Sequence, residues 1–292
     1  MLQIIKSKGI KFITKFYDPL VKLKIGNQTI LVPLSHQLHK NVRIHPDYNF
    51  NLPRVIGYVS AKYPDVKVID IGANIGDTAA FIKNYSDAPI LCIDGEKKYL
   101  DILKKNVAKY KNVSICNALV GEKNMEANVS MKMERGTAEV VETDQKTSIR
   151  TLDSILEEFP NFKNAKVLKT DTDGYDTLIL RGCSRFLKSQ KPILFFEFDP
   201  FLIHKNNDDP AGFISYLKDC GYGHLMFYMN NGDFLLSCST DQTELINQLV
   251  DYFSGRNIFL FADICAFHLD DAAIFKVCVE KELAHFKKAR SY

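Results

Sequence analysis

The sequence predicts an α/β protein built on a doubly wound, mostly parallel sheet with an antiparallel hairpin at its C-terminal edge. From about residue 51 short apolar runs alternate regularly with amphipathic stretches. Three of those runs, VKVID, PILCID and KPILFFEFD, are continuous instead of alternating, and each closes on an acidic residue. Parallel strands are covered on both faces by their helical crossovers, so they read as unbroken apolar runs. Late in the chain GHLMFYM and DFLLSC lie close enough to pair as a hairpin.

Taken in order, residues 1–24 place Leu2, Ile5, Phe12, Phe16 and Leu20 on one helical face with lysines largely opposite, and Pro19 ends any helix. A strand pair, KLKIGNQTILV, follows and turns at Gly26-Asn27. Residues 35–50 are polar, aromatic and rich in histidine without a period, as a loop or lid would be. The alternation then gives a helix over 53–63, strands at 66–70, 89–94 and 113–121, and helices over 77–85 and 98–110. Residues 125–147 alternate polar and apolar, as an antiparallel excursion does. TLDSILEEF, YDTLILRG, GFISYLKDCGY and TELINQLVDYF read as helices, with AKVLKTD, KPILFFEFD and NIFLFADICAF as strands. A basic helix over 271–289 closes the chain. The expected organisation is an N-terminal unit over 1–50 and a ligand-binding domain over 51–292.

Composition excludes several classes. The 292 residues are 46% hydrophobic and 25% charged, ordinary for a globular protein with ample chain for a core. No apolar run nears the ~18–20 residues that cross a bilayer. Lys+Arg 38 against Asp+Glu 35 gives a net charge of +3, which offers no ground for nucleic-acid binding. The seven cysteines are odd in number and form no C-x-x-C pair, as reduced cysteines do. With no secretory signal in the N-terminal lysine-bearing segment, a cytoplasmic location is expected. That segment also fits contact with an anionic membrane surface, or packing on its own protein or on a partner subunit, including a second copy.

The sharpest chemical signal is VIDIGANIGDT, residues 68–78. A buried strand runs into Asp70, and Gly72 and Gly76 allow a tight turn into a helix. A dinucleotide fingerprint keeps a middle glycine so that a pyrophosphate can meet the backbone. Here Asn74 stands in that stretch, and Asp70 adds negative charge that repels phosphate but suits an ammonium. A zwitterionic adenosine ligand is favoured over NAD. Asp94 ends the next strand, where an acidic residue accepts from ribose hydroxyls, and Asn117 and Ala118 end the third strand and border the adenine.

These stretches resemble the FkbM family of S-adenosylmethionine-dependent methyltransferases. The resemblance covers about residues 45–270 and rests on VIDIGANIGDT, LCIDGEKKYLDILKKN, TLDSIL (151–156), VLKTDTDGYDTLILRGC (167–183) and KPILFFEFDP (191–200). The family usually has Glu where this chain has Asp173 and Asp176, so two side chains are shorter here. The resemblance implies a Rossmann-like fold of the class I methyltransferase type, an S-adenosyl-L-methionine cofactor, and O-methylation, often of sugars in glycans or natural products.

The expected cofactor set is therefore Asp70, Gly72, Asn74, Gly76, Asp94 and Asn117. Asp171 and Glu197 end parallel strands and should flank the transfer point, with His45 or His204 as the other groups able to take a proton. Asp173 and Asp176 fit a helix cap and its capping box. No metal is expected, and the H-x-x-H spacing of His36 and His39 reads as surface or lid. Two rival readings remain at this point: an NAD-dependent oxidoreductase on the same fold, and a non-catalytic membrane-surface partner protein.

Overall fold

The computed structural model describes residues 14, 17–134, 137–255 and 260–290. The helical stripe expected over 1–24 falls mostly outside them. Its end instead opens a strand, β1 (Leu20–Ile25), which pairs antiparallel with β2 (Gln28–Pro33) about the expected Gly26-Asn27 turn. A short helix, α1 (Leu38–Ile44), occupies the segment expected to be loop. It buries only Leu38 and has no acidic residue in its first turn and no side-chain cap. A helix so poorly signalled is held by packing.

The alternating region follows as α2 (Asn51–Lys62), β3 (Val68–Ile71), α3 (Asp77–Ile82), β4 (Ile90–Asp94), α4 (Lys97–Val107) and β5 (Val113–Asn117). Next come β6 (Leu119–Val120), β7 (Met125–Glu134) and β8 (Thr137–Arg150), a small sheet in the order β6-β8-β7. The main fold resumes with α5 (Leu152–Ile155), β9 (Val167–Thr170), α6 (Asp176–Gly182), α7 (Ser184–Gln190), β10 (Ile193–Phe198), α8 (Pro200–Lys205) and α9 (Pro210–Asp219). It ends with β11 (Tyr222–Met229), β12 (Phe234–Ser239), α10 (Thr243–Gly255), β13 (Ala262–His268) and α11 (Ala272–Ala289).

Eight strands form the main sheet in the order β12-β11-β13-β10-β9-β3-β4-β5. The run from β10 to β5 is parallel, and β13 enters antiparallel between β10 and the β11–β12 hairpin. The chain order reverses between β3 and β9, and ligands bind beyond the carboxyl ends of strands at such a switch. Each central strand is buried along its length, as its apolar run requires. On one face Ile69, Leu168 and Leu194 meet α5, α6, α9 and α10 through Leu152, Leu180, Phe213 and Val250. On the other, Cys92, Phe195 and Cys265 meet α2, α4 and α11 through Val55, Leu103 and Ile274. A third cluster packs Ile25, Ile30 and Val32 of the first hairpin against Phe81 and Ile102.

One buried ion pair fastens the second layer. Arg54 on α2 donates to both carboxylate oxygens of Glu282 on α11, at 2.8 and 2.7 Å, and the Tyr58 hydroxyl donates to the same group. Among the described residues no helix is long and apolar enough to cross a membrane.

Candidate active site

The turn after β3 is shaped by crowding. Gly72 has φ +74, and a Cβ there would strike the Asp171 carbonyl oxygen at the end of β9. Only glycine lets the two strand ends come this close. The Gly72 and Ala73 amides donate to the Ile93 carbonyl of β4 at 3.0 and 3.1 Å. Asn74 follows with φ +49, a conformation asparagine tolerates, and its amide donates to Asp94 Oδ2 at 2.7 Å. Glu96 N–H donates to Asp94 Oδ1 at 2.8 Å. Each oxygen of this carboxylate is thus fixed by one backbone amide and keeps a lone pair for a ligand. Burial lifts Asp94 to about 6, against the pull of these two bonds.

Asp94 lines a cavity of about 1090 Å³ that also reaches the ends of β9 and β10. Drug-sized ligands fill ~300–1,000 Å³, so a nucleoside cofactor and an acceptor can share this space. Its lid side is supplied by α1 and the loops on either side of it, with His36, His45 and Tyr48 among the lining residues. His36 Nε2 sits 3.4 Å from Asn74 Oδ1, and burial pulls its imidazole down to about 4, so it is neutral at physiological pH.

The expectation for Asp70 needs correction. Its side chain has no exposed surface and does not line the cavity. Lys169, directly opposite in the β3–β9 register, places Nζ 2.9 Å from Asp70 Oδ1. The same Nζ lies 3.4 Å from Asp171 Oδ2 and donates to the Gly72 carbonyl at 3.3 Å. Burial opposes the Lys169 charge, yet Asp70 and then Asp171 hold it well above the usual lysine range. Asp70 is therefore the counter-charge beneath the turn and not a surface for an ammonium. Lys169 was missed in the sequence, where its one signal is a charge inside the apolar run VLKT.

The structure brings Gly72, Asn74, Asp94, Asp171, Glu197 and His45 to the cavity wall and leaves four other expected residues off it. Gly76 has φ +80, and a Cβ there would crowd Leu103 and Val107 of α4, so it shapes the turn from behind. Asn117 is exposed outside the cavity, while Ala118 next to it lines the wall. His204 is exposed on α8, away from the cavity. The capping box also fails. Asp173 and Gly174 both take positive φ, +52 and +88, and the helix begins only at Asp176. The Asp176 carboxylate instead accepts from the Thr172 amide at 3.2 Å and braces the loop from within.

Residues 40–223, more than half of the chain, match the family model of the methyltransferase FkbM domain. The chain belongs to this family. Membership in a methyltransferase family goes against the oxidoreductase reading on the same fold. No curated protein matches it. Among solved structures, an FkbM methyltransferase from Methylobacillus flagellatus KT is 14% identical, with a TM-score of 0.39 over 70% of this chain and 44% of that one. A Pyrococcus abyssi tRNA (uracil-54, C5)-methyltransferase in complex with S-adenosyl-L-homocysteine is 10% identical, with a TM-score of 0.43 over 86% of this chain and 44% of that one. Aeropyrum pernix fibrillarin in complex with natively bound S-adenosyl-L-methionine is 10% identical, with a TM-score of 0.37 over 70% of this chain and 66% of that one. This chain spans less than half the length of the first two.

Proposed function

We propose that this FkbM-family enzyme methylates a hydroxyl group, on a sugar of a glycan or natural product. One observation carries the reading: the ribose-type carboxylate Asp94 and the strand-end acids Asp171 and Glu197 open into one cavity. The wall suits the cofactor. Asp94 has a free lone pair on each oxygen for the two ribose hydroxyls, and Ile93, Gly95, Ala118 and Leu119 offer apolar and backbone surface beside it for the adenine. Gly72 and Asn74 flank the path from there to β9.

The bound cofactor supplies an activated methyl group on a sulfonium, and with it the hard part of the chemistry. The protein must hold the acceptor oxygen in line with that carbon and give its proton somewhere to go. Asp171 is placed for the proton. Its side chain is half exposed, at 53%, and Lys169 steadies it at 3.4 Å from its Oδ2. His45, on the lid side of the same cavity, is a second group able to take the proton. Glu197 has a different character. Burial first, and then Asp171, Asp173, Asp176 and Asp199, lift its carboxyl well above the usual carboxylate range, which suits positioning better than deprotonation. The test is incubation with methyl-labelled cofactor and an extract of metabolites and glycans, read by mass spectrometry. Label on a carbohydrate oxygen supports the reading; label confined to nitrogen, carbon or protein contradicts it.

A further inference from the structure

The acceptor end of the cavity gathers several acids around Lys169. Asp171, Asp173, Glu197 and Asp199 line it. Asp263 stands beside Glu197 in the β10–β13 register. Lys169 is already shared among Asp70, Asp171 and the Gly72 carbonyl, which occupies its three N–H donors. Lys40, on α1, and Lys123, on the loop after β6, line the same cavity.

Glu197 shows what is lacking there. It is 6% exposed and faces the cavity, and its Oε2 is buried with no hydrogen-bond partner among the described residues. A buried carboxyl oxygen without a donor is costly, so it marks a place where a ligand donor belongs. A metal ion is the wrong occupant. Inner-sphere binding needs several oxygens converging at ~2.0–2.6 Å, and among the described residues no three His, Cys, Asp or Glu groups so converge. An organic cation needs only acceptors at hydrogen-bond distance, spread over a wider wall.

Resting on the hydroxyl-methylation reading, we propose that the acceptor carries a protonated amine beside the hydroxyl that is methylated, received by Glu197 and Asp199 while Asp171 faces the hydroxyl. Amino sugars and amino alcohols have this arrangement. Asp171 and Glu197 each stand one step beyond the Thr170–Phe196 pair of neighbouring parallel strands. Such strands lie ~4.8 Å apart, a spacing that lets one carboxyl reach an amine and its neighbour an adjacent hydroxyl. The ammonium gives Glu197 Oε2 the donor it lacks.

The experiment splits the metabolite and glycan extract in two and N-acetylates one half with acetic anhydride in bicarbonate, which removes amine charge and spares hydroxyls. Both halves are incubated with the enzyme and methyl-labelled cofactor. Label on oxygen in the untreated half, falling at least tenfold after acetylation, is the expected result. Equal label on oxygen in both halves overturns the amine requirement and leaves hydroxyl methylation standing. Label on nitrogen, or in neither half, overturns both. Glu197→Gln, checked as folded, should bring the ratio between the halves close to one, because a neutral amide cannot discriminate charge. An unchanged ratio would remove Glu197 from amine recognition and overturn the assignment.

Discussion

Lys169→Met is the most searching perturbation of this site, because it removes the cation from a sealed pair and leaves every cavity-lining acid in the sequence. Asp70 has no exposed surface and Lys169 almost none, and the two lie 2.9 Å apart. Removing one partner of a buried pair costs ~3–5 kcal/mol, since the other charge is left uncompensated. Burial lifts Asp70 to about 6 even with Lys169 present, so without that lysine its carboxyl keeps a proton at pH 7. Protonation limits the loss to the low end, about 3 kcal/mol. The Asp171 carboxylate also loses a neighbour, but it is half exposed and water replaces the contact. Urea unfolding at pH 7 measures the loss. Asp70→Asn combined with Lys169→Met removes both charges and should recover most of it. A loss below about 1 kcal/mol in the single variant, or no recovery in the double, would refute the structural role of the pair.

Three further outcomes follow from the same geometry. Asp94→Ala should weaken S-adenosylhomocysteine binding roughly 10- to 150-fold in calorimetry, the value of ~1.5–3 kcal/mol for bonds to a carboxylate, and unchanged affinity in a folded variant would remove Asp94 from the site. Asp171→Asn should cut turnover ~10²–10⁴-fold with cofactor affinity little altered, whereas His204→Ala, off the cavity, should leave both alone; if His45→Ala alone abolishes turnover, the proton goes to the imidazole. Burial, followed by Asp171, raises Asp263 to about 8, so its proton is held in the folded chain and lost from the unfolded chain above ~4. Its contribution to stability is full below ~4 and disappears as pH rises through 8. Asp263→Asn should therefore raise the urea midpoint at pH 8 and flatten its fall between pH 5 and 8, and an unaltered slope would contradict that assignment.

The sheet and the turn after β3 were legible because both are written in local pattern. Apolar runs closing on Asp94 and on Glu197 report buried strands whose ends carry acids, and the Gly72–Gly76 spacing reports a tight turn. What escaped depends on which strands become neighbours. Asp70 reads as a ligand group until β9 is known to lie beside β3, which sets Lys169 opposite it. The loop 171–175 has the composition of a capping box, but close packing of Gly174 against Leu202 turns the chain left-handed and delays the helix. The short helices were least legible. α1 has one buried residue, α7 and α8 span seven and six residues, and such short helices exist by contact rather than by periodicity. His204 was misplaced for that reason, since its helix turns it outward.

A crystal structure of the protein with S-adenosylhomocysteine tests the assignment most directly. The ribose hydroxyls should lie within hydrogen-bond distance of Asp94, and the sulfur should face the space between Asp171, Glu197 and Tyr48, with the Asp70–Lys169 pair undisturbed beneath the Gly72 turn. A ribose bound away from Asp94, or a sulfur turned from the β9 and β10 ends, would contradict the site proposed for methyl transfer.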